Sequence, residues 1–213
     1  MKVFDLLSER YDLWYETPFG RSAYELECEC LKRILLPFKR GLEIGVGTGR
    51  FATRLGVRFG LDPSKNMAIK AKERGVVVVL GRAETLPFRD GVFDLILIVV
   101  TLCFLENPIR ALREARRVLK PEGKLVLGLI TRESRWAKFY TKKAEEGHPI
   151  YREARFYSLP EVRDMLEEAR FKIEKVLSTL IEEPQDRRPV KNREIKEGTD
   201  PLAGFTCIRA GPL

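Results

Sequence analysis

The chain has one histidine, His148, and four cysteines in 213 residues, and no two cysteines stand in C-x-x-C spacing. A Cys/His zinc site needs more ligands than that, so no metal site is expected and the thiols should be buried and reduced. No apolar run approaches the roughly 20 residues that cross a bilayer. The N-terminal stretch MKVFDLLSERYD reaches Asp5 and Glu9 too soon for a signal peptide. A cytoplasmic protein without a membrane span is the expectation. No G-K-[ST] follows the glycine-rich turn, which excludes a P-loop. Internal repeats and low-complexity linkers are missing too, and the length suits a single domain.

Charge is plentiful: 39 Lys and Arg face 31 Asp and Glu, a formal net charge of +8. That excess is compatible with a nucleic-acid partner. The two signs are interspersed, however, and such density is what heat-adapted surfaces show. A solvated, thermostable surface is favoured over a nucleic-acid footprint.

Short apolar runs alternate with amphipathic helices from Gly41 onward. Leu42–Ile44 reads as a strand, Arg50–Leu55 as a short helix ended by Gly56, and Val57–Leu61 as a second strand. Ser64 caps a helix that ends at Gly75. Val76–Leu80, β-branched and apolar, reads as a strand buried on both faces, and Asp94–Val100 repeats that character. Asn107 caps the next helix with Pro108 at its first position; Pro121-Glu122-Gly123 ends it, and Lys124–Ile130 is the fifth strand. Strand–helix alternation of this kind predicts a parallel sheet with helices on both faces. Arg21–Leu36 adds a helix before the sheet, and Leu159–Arg170 one after it. Phe171–Leu177 and Phe205–Arg209 read as closing strands, with a long charged loop, Glu182 to Pro201, between them.

The candidate binding loop is GLEIGVGTGR, Gly41 to Arg50. A dinucleotide fingerprint read from Gly45 fails, because Arg50 stands where the third glycine belongs; shifted to Gly47, Gly49 and Ala52 it matches weakly. The frame that fits unshifted is E-x-G-x-G-x-G, with Glu43, Gly45, Gly47 and Gly49. A carboxylate at the end of the first strand repels a pyrophosphate and attracts a cation. The ligand wanted is nucleoside-like with a positive charge at its other end, as in S-adenosylmethionine. Asp62, at the end of the second strand, suits a ribose diol, with the start of the Asp62-Pro63-Ser64 turn as the lesser alternative.

The stretches LEIGVGTGRF, GLDPSKNM, GRAETLPFRDGVFDLI and Asn107 to Leu127 follow the order and spacing of the motifs of class I S-adenosylmethionine-dependent methyltransferases. The chain resembles that family, and within it the ubiquinone/menaquinone-biosynthesis-like (type 11) branch. The resemblance covers 41–130 strongly and the flanks loosely. It implies an α/β, Rossmann-like, seven-stranded, mostly parallel sheet with an antiparallel last strand and an N-terminal helical lid. One domain is expected: a helical cap over 1–38, the cofactor core over 41–130, a substrate-side insert over 131–158, and a closing helix and strands over 159–213.

Carried onto this sequence, the resemblance implies cofactor contacts at Glu43, Gly45, Val46, Gly47, Gly49, Asp62, Pro63 and Val99, with Ala83 and Glu84 beside adenine. Ile98 and Met67 are further packing candidates. Arg82 departs from the family pattern, in which an acid commonly contacts the adenine amino group. Thr101-Leu102-Cys103-Phe104 departs as well, being apolar where polar residues are usual. His148 is therefore the candidate general base, with Tyr15, Tyr140, Tyr151 and Arg155 (and Tyr157 beside them) as acceptor-pocket candidates. Tyr11 and Trp14 are candidates to close over the cofactor alongside Tyr15. The expected activity is methyl transfer to a small-molecule acceptor. An RNA or protein methyltransferase using Arg187, Arg188, Lys191 and Arg193 is the alternative, without the asparagine-proline-proline-aromatic motif for base amines. A non-catalytic cofactor-binding regulator is the third reading.

Overall fold

The computed structural model describes residues 2–185 and 188–213. Two helices precede the sheet: α1 (Lys2–Trp14) and α2 (Pro18–Ile34). Thr17 caps α2 by accepting from the Gly20 N–H at 3.0 Å, with Pro18 in the first position, so the helix begins three residues before the expected Arg21. Ala23, Leu26, Cys30, Leu31 and Ile34 form its buried stripe, as the 3.6-residue period requires.

The chain then alternates β1 (Gly41–Ile44), α3 (Arg50–Leu55), β2 (Phe59–Asp62), α4 (Lys65–Glu73), β3 (Val77–Leu80), β4 (Phe93–Val99), α5 (Pro108–Val118) and β5 (Leu119–Leu129). Side-chain caps set the helix starts: Ser64 accepts from Met67 N–H at 3.2 Å and Asn107 from Arg110 N–H at 2.9 Å. After β5 come α6 (Arg135–Glu145), α7 (Leu159–Glu168), β6 (Phe171–Thr179), a two-residue β7 (Lys196–Glu197) and β8 (Phe205–Pro212). A capping box opens α7, with Ser158 and Glu161 each bonding the other's backbone N–H.

The sheet order is β3-β2-β1-β4-β5-β8-β6-β7. β3 through β5 pair in parallel, and β8 runs antiparallel between β5 and β6. β7 adds an eighth, very short strand to the seven expected. One apolar layer lies between the sheet and α2, α3 and α6; the other lies beneath α5 and α7. Strand order reverses between β1 and β4, and their carboxyl ends diverge there into a crevice.

Two expectations need correction. β3 is the sheet edge rather than a strand buried on both faces, and its Val77 and Leu80 are 45% and 53% exposed. Pro121-Glu122-Gly123 does not separate α5 from the fifth strand. Instead Leu119 already pairs with Phe93, and the irregularity in register between Phe93 and Leu95 absorbs the extra residues. The 131–158 segment carries α6, which precedes α7 with no strand between them, so the alternation is interrupted there; its Trp136 is 1% exposed and stacks on Phe19 at 5.2 Å. All four cysteines are free, with Cys28, Cys30 and Cys207 buried, as expected. Among the described residues no helix is long and apolar enough to cross a membrane, and no cluster of His, Cys, Asp and Glu could hold a metal ion.

Candidate functional site

The crevice at the ends of β1, β2 and β4 opens into a cleft with ≈ 950 Å³ of empty space, part of it open to solvent. Glu43, Gly45, Val46, Gly47, Asp62 and Pro63 line it, and so do Ala83, Glu84 and Val99. Of the residues expected to hold a cofactor, only Gly49 stands outside the lining.

The loop after β1 is shaped by backbone bonds to β2. The N–H groups of Gly45 and Val46 both donate to Leu61 O, at 2.8 and 3.0 Å. Asp62 accepts from Gly47 N–H at 2.8 Å through one oxygen and from Ser64 N–H at 2.9 Å through the other. It therefore closes its own turn and also ties down the tip of the glycine loop. Two backbone donors leave a carboxylate with acceptor capacity to spare. Gly47 and Gly49 play opposite parts. A Cβ at Gly47 would meet no protein atom within 4 Å, whereas one at Gly49 would come within 2.9 Å of Ala71 Cα. Gly47 leaves a cradle open to the cleft; Gly49 lets α3 and α4 approach each other.

Glu43 is 1% exposed, and its Oε2 has no hydrogen-bond partner. Burial pushes its carboxyl well above the ordinary carboxylate range; the Asp62 charge adds to the rise and the Ala52 backbone N–H opposes it. A buried carboxylate left this way is costly unless a ligand pairs with it. Asp62 is also raised, mainly by burial. Both acids thus gain from a cation or hydrogen-bond donors in the cleft.

Backbone strain marks the other wall. Val100, at the end of β4, has φ of 47°, a left-handed conformation that a β-branched residue rarely adopts. Its N–H is held by Gly128 O at 2.8 Å, and Thr101 Oγ1 donates to Val99 O at 2.9 Å. Val99, Val100, Thr101 and Met67 all line the cleft, while Ile98 packs into the core under α5. Arg82 lines the cleft paired to Glu106 at 2.7 Å and to Glu84 at 3.5 Å. Sequence reasoning passed over Glu106. The signal was the arginine itself, since a basic residue at an expected acid position calls for a neighbouring acid.

The α1 helix is fastened over this loop. Asp12 accepts from Thr48 Oγ1 at 2.7 Å, from Arg50 Nε at 2.7 Å and from Arg74 at 2.7 Å. Burial alone would raise the Asp12 carboxyl, but these donors hold it well below its ordinary range. Asp5 accepts from Ser64 Oγ at 2.6 Å, and Glu9 pairs with Lys70 at 2.5 Å. Phe4, Tyr11 and Tyr15 thereby come to line the cleft, with the Tyr11 and Tyr15 hydroxyls 2.9 Å apart. Trp14 packs edge-on against Tyr15 outside the lining.

The remaining acceptor-side candidates lie apart from the lining. Tyr151 stacks between Tyr140 and His148, with ring centroids 4.3 and 4.4 Å away. Tyr140 is buried in the apolar layer that also contains Tyr15. Arg155 is exposed and lies over the Tyr157 ring at 5.2 Å. In the basic loop, Arg193 faces Glu25 at 3.4 Å and the Lys191 N–H donates to Glu182, while Arg188 is exposed. Arg187 lies outside the described residues.

Comparison with known proteins agrees with this geometry. A family model described as a methyltransferase domain matches residues 42–127. A Thermotoga maritima crystal structure, described as an S-adenosylmethionine-dependent methyltransferase and possible histamine N-methyltransferase, superposes with a TM-score of 0.90. It is 40% identical and covers 99% of this chain and 98% of its own. An uncharacterized protein of Methanocaldococcus jannaschii is 43% identical over 99% of this chain and 98% of its own length. A malonyl-[acyl-carrier protein] O-methyltransferase of Geobacter sulfurreducens is 33% identical over 52% of this chain and 50% of its own.

Proposed function

The chain belongs to the class I S-adenosylmethionine-dependent methyltransferases, with S-adenosylmethionine as its cofactor, and on that premise we propose that it methylates a small-molecule acceptor in the cytoplasm. The observation that carries the site assignment is Glu43, a buried carboxylate with an unpartnered oxygen on the cleft. In this reading Glu43 takes the charge of the methionine end, and Asp62 accepts the ribose hydroxyls with the capacity its two backbone donors leave free. Gly47 gives the cofactor its close approach, and Ala83, Glu84 and the Arg82–Glu106 pair border the adenine.

The cofactor, when bound, supplies a methyl group on a sulfonium. The chain's own contribution is to hold and orient. The strained Val100 turn and the clamped α1 fix opposite walls of the cleft, and positioning of this kind is worth roughly 7–11 kcal/mol in favourable cases. Phe4 and Tyr11 of α1, and Tyr15 just after it, cover the cleft and limit water. An acceptor that enters between such walls is small, which favours this reading over a macromolecular substrate.

The test is calorimetry with S-adenosylmethionine, S-adenosylhomocysteine and NADH, followed by turnover of small-molecule, RNA and protein acceptors read as S-adenosylhomocysteine. Binding of NADH alone sinks the site assignment. Turnover confined to RNA or protein sinks the small-molecule acceptor.

A further inference from the structure

The loop between β4 and α5 brings an acid to the rim of the cleft. Leu105 and Glu106 line it there, together with Arg82, Ala83 and Glu84 from the turn after β3. Arg82 stands at the centre of this group. Its guanidinium lies 2.7 Å from Glu106 Oε2 and 3.5 Å from Glu84 Oε2. Two acids therefore flank one arginine at the end of the cleft assigned to adenine, and they are not equivalent.

Glu84 is committed to the fold. It is buried, its Oε2 faces Arg82, and its Oε1 accepts from the Asn107 N–H at 3.4 Å, which ties the turn after β3 to the N-cap of α5. Glu106 is placed differently. Its side chain is 72% exposed at the rim, and its contact with Arg82 runs through Oε2. A carboxylate carries about four acceptor sites in all, so capacity remains toward the cleft. The ion pair also narrows the positions that an acid so exposed can take, because the planar guanidinium fixes the direction of the carboxylate it meets.

The chemistry of adenine decides what this arrangement can do. Its exocyclic amine is a donor, which a carboxylate can accept and an arginine cannot. We propose that Glu106, held at the rim by Arg82, accepts from the adenine amine, so that an acid from the loop before α5 replaces the one missing after β3. Arg82 is then a positioning residue. The inference rests on the cofactor assignment above and adds to it the residue that reads the base. It also sets the sense of the discrimination. A 6-oxo base offers a carbonyl where adenine has its amine; the Glu106 carboxylate repels that oxygen, whereas a free guanidinium would donate to it. Preference for adenine makes the acid the reader, and preference for the 6-oxo base makes it the arginine.

The experiment is calorimetry with S-adenosylhomocysteine and with S-inosylhomocysteine, its 6-oxo analogue. Wild type is expected to bind the adenine ligand at least about tenfold tighter. Backbone groups that touch the base are common to every variant, so the change in this ratio isolates Glu106. Glu106→Gln can donate as well as accept, and should cut the ratio about fivefold or more while its Tm stays at the wild-type value. Arg82→Ala keeps the acid but frees it, and should cut the ratio by less. Combining Glu106→Ala with Arg82→Asp returns an acid to position 82 and should restore the ratio. A wild type that binds the two ligands equally or prefers the 6-oxo one overturns the proposal. So does a ratio that Glu106→Gln leaves unchanged, or one that falls further in Arg82→Ala than in Glu106→Gln. Failure of the wild type to bind S-adenosylhomocysteine removes instead the cofactor reading on which the proposal rests.

Discussion

Asp62 Oδ2 lies 2.8 Å from the Gly47 backbone N–H, so the end of β2 holds the tip of the glycine loop that follows β1. Asp62→Ala should therefore do two things at once. Loss of the bonds to Gly47 and Ser64 should lower stability by about 1–3 kcal/mol, and affinity for S-adenosylmethionine should fall by about tenfold or more. Denaturant titration and calorimetry measure the two effects. Wild-type affinity in the variant removes Asp62 from the cofactor site.

Glu43 gives a pH signature. Its folded carboxyl is raised above the unfolded value of about 4.3. The free protein therefore holds an extra proton above that pH, and stability falls as pH rises through the folded value. A cationic ligand prefers the ionised form, so binding expels the proton and apparent affinity should rise with pH. In Glu43→Gln the affinity should be weaker by about 10–100-fold, this pH dependence should vanish, and the unliganded protein should melt higher at pH 8.

Gly47 and Gly49 should separate function from folding. Gly47→Ala carries only the left-handed backbone cost of about 1 kcal/mol and should remain folded with impaired cofactor binding. Gly49→Ala drives its methyl into Ala71 and should lose about 2–4 kcal/mol of stability. Equal loss of stability in the two variants contradicts the division of roles.

Asp12 should act on α1 alone. Asp12→Ala should raise amide exchange across Lys2–Trp14 by about tenfold or more, with the sheet unaffected. Because the carboxyl is held below its ordinary range, its contribution is present above about pH 4 and is lost as pH falls through the folded value. Exchange in α1 should thus increase in acid before the sheet strands respond.

The parts of the fold that obey local rules were legible in advance. Ser64, Asn107 and Pro108 mark helix starts by chemistry within three residues, and the structure has those helices where the caps put them. Glu43 was legible because an acid inside a buried strand has few structural uses. α6 was not, since its buried residues, Trp136, Ala137 and Tyr140, are spread among lysines and arginines and look like a basic loop. The exposure of β3 was hidden as well. Its composition is that of a central strand, and only the order of strands in the sheet makes it an edge. The burial of Glu27, 5% exposed on α2, was hidden for a related reason: a glutamate in a charged helix usually faces water, and nothing within one turn says otherwise.

β8 sits between β5 and β6, although it comes after both in the chain. Until Phe205–Pro212 arrives, those two strands have no common partner, and Cys207, Ile208 and Ala210, all at most 1% exposed, are missing from both apolar layers. During synthesis, then, the parallel half from β3 to β5 is available early, while α2 and α6 have an incomplete surface to dock on. The layer that seats α2 and α6 is complete only once the ribosome has passed β8, so the cofactor crevice between β1 and β4 can form before the helices that pack beside it are locked in place.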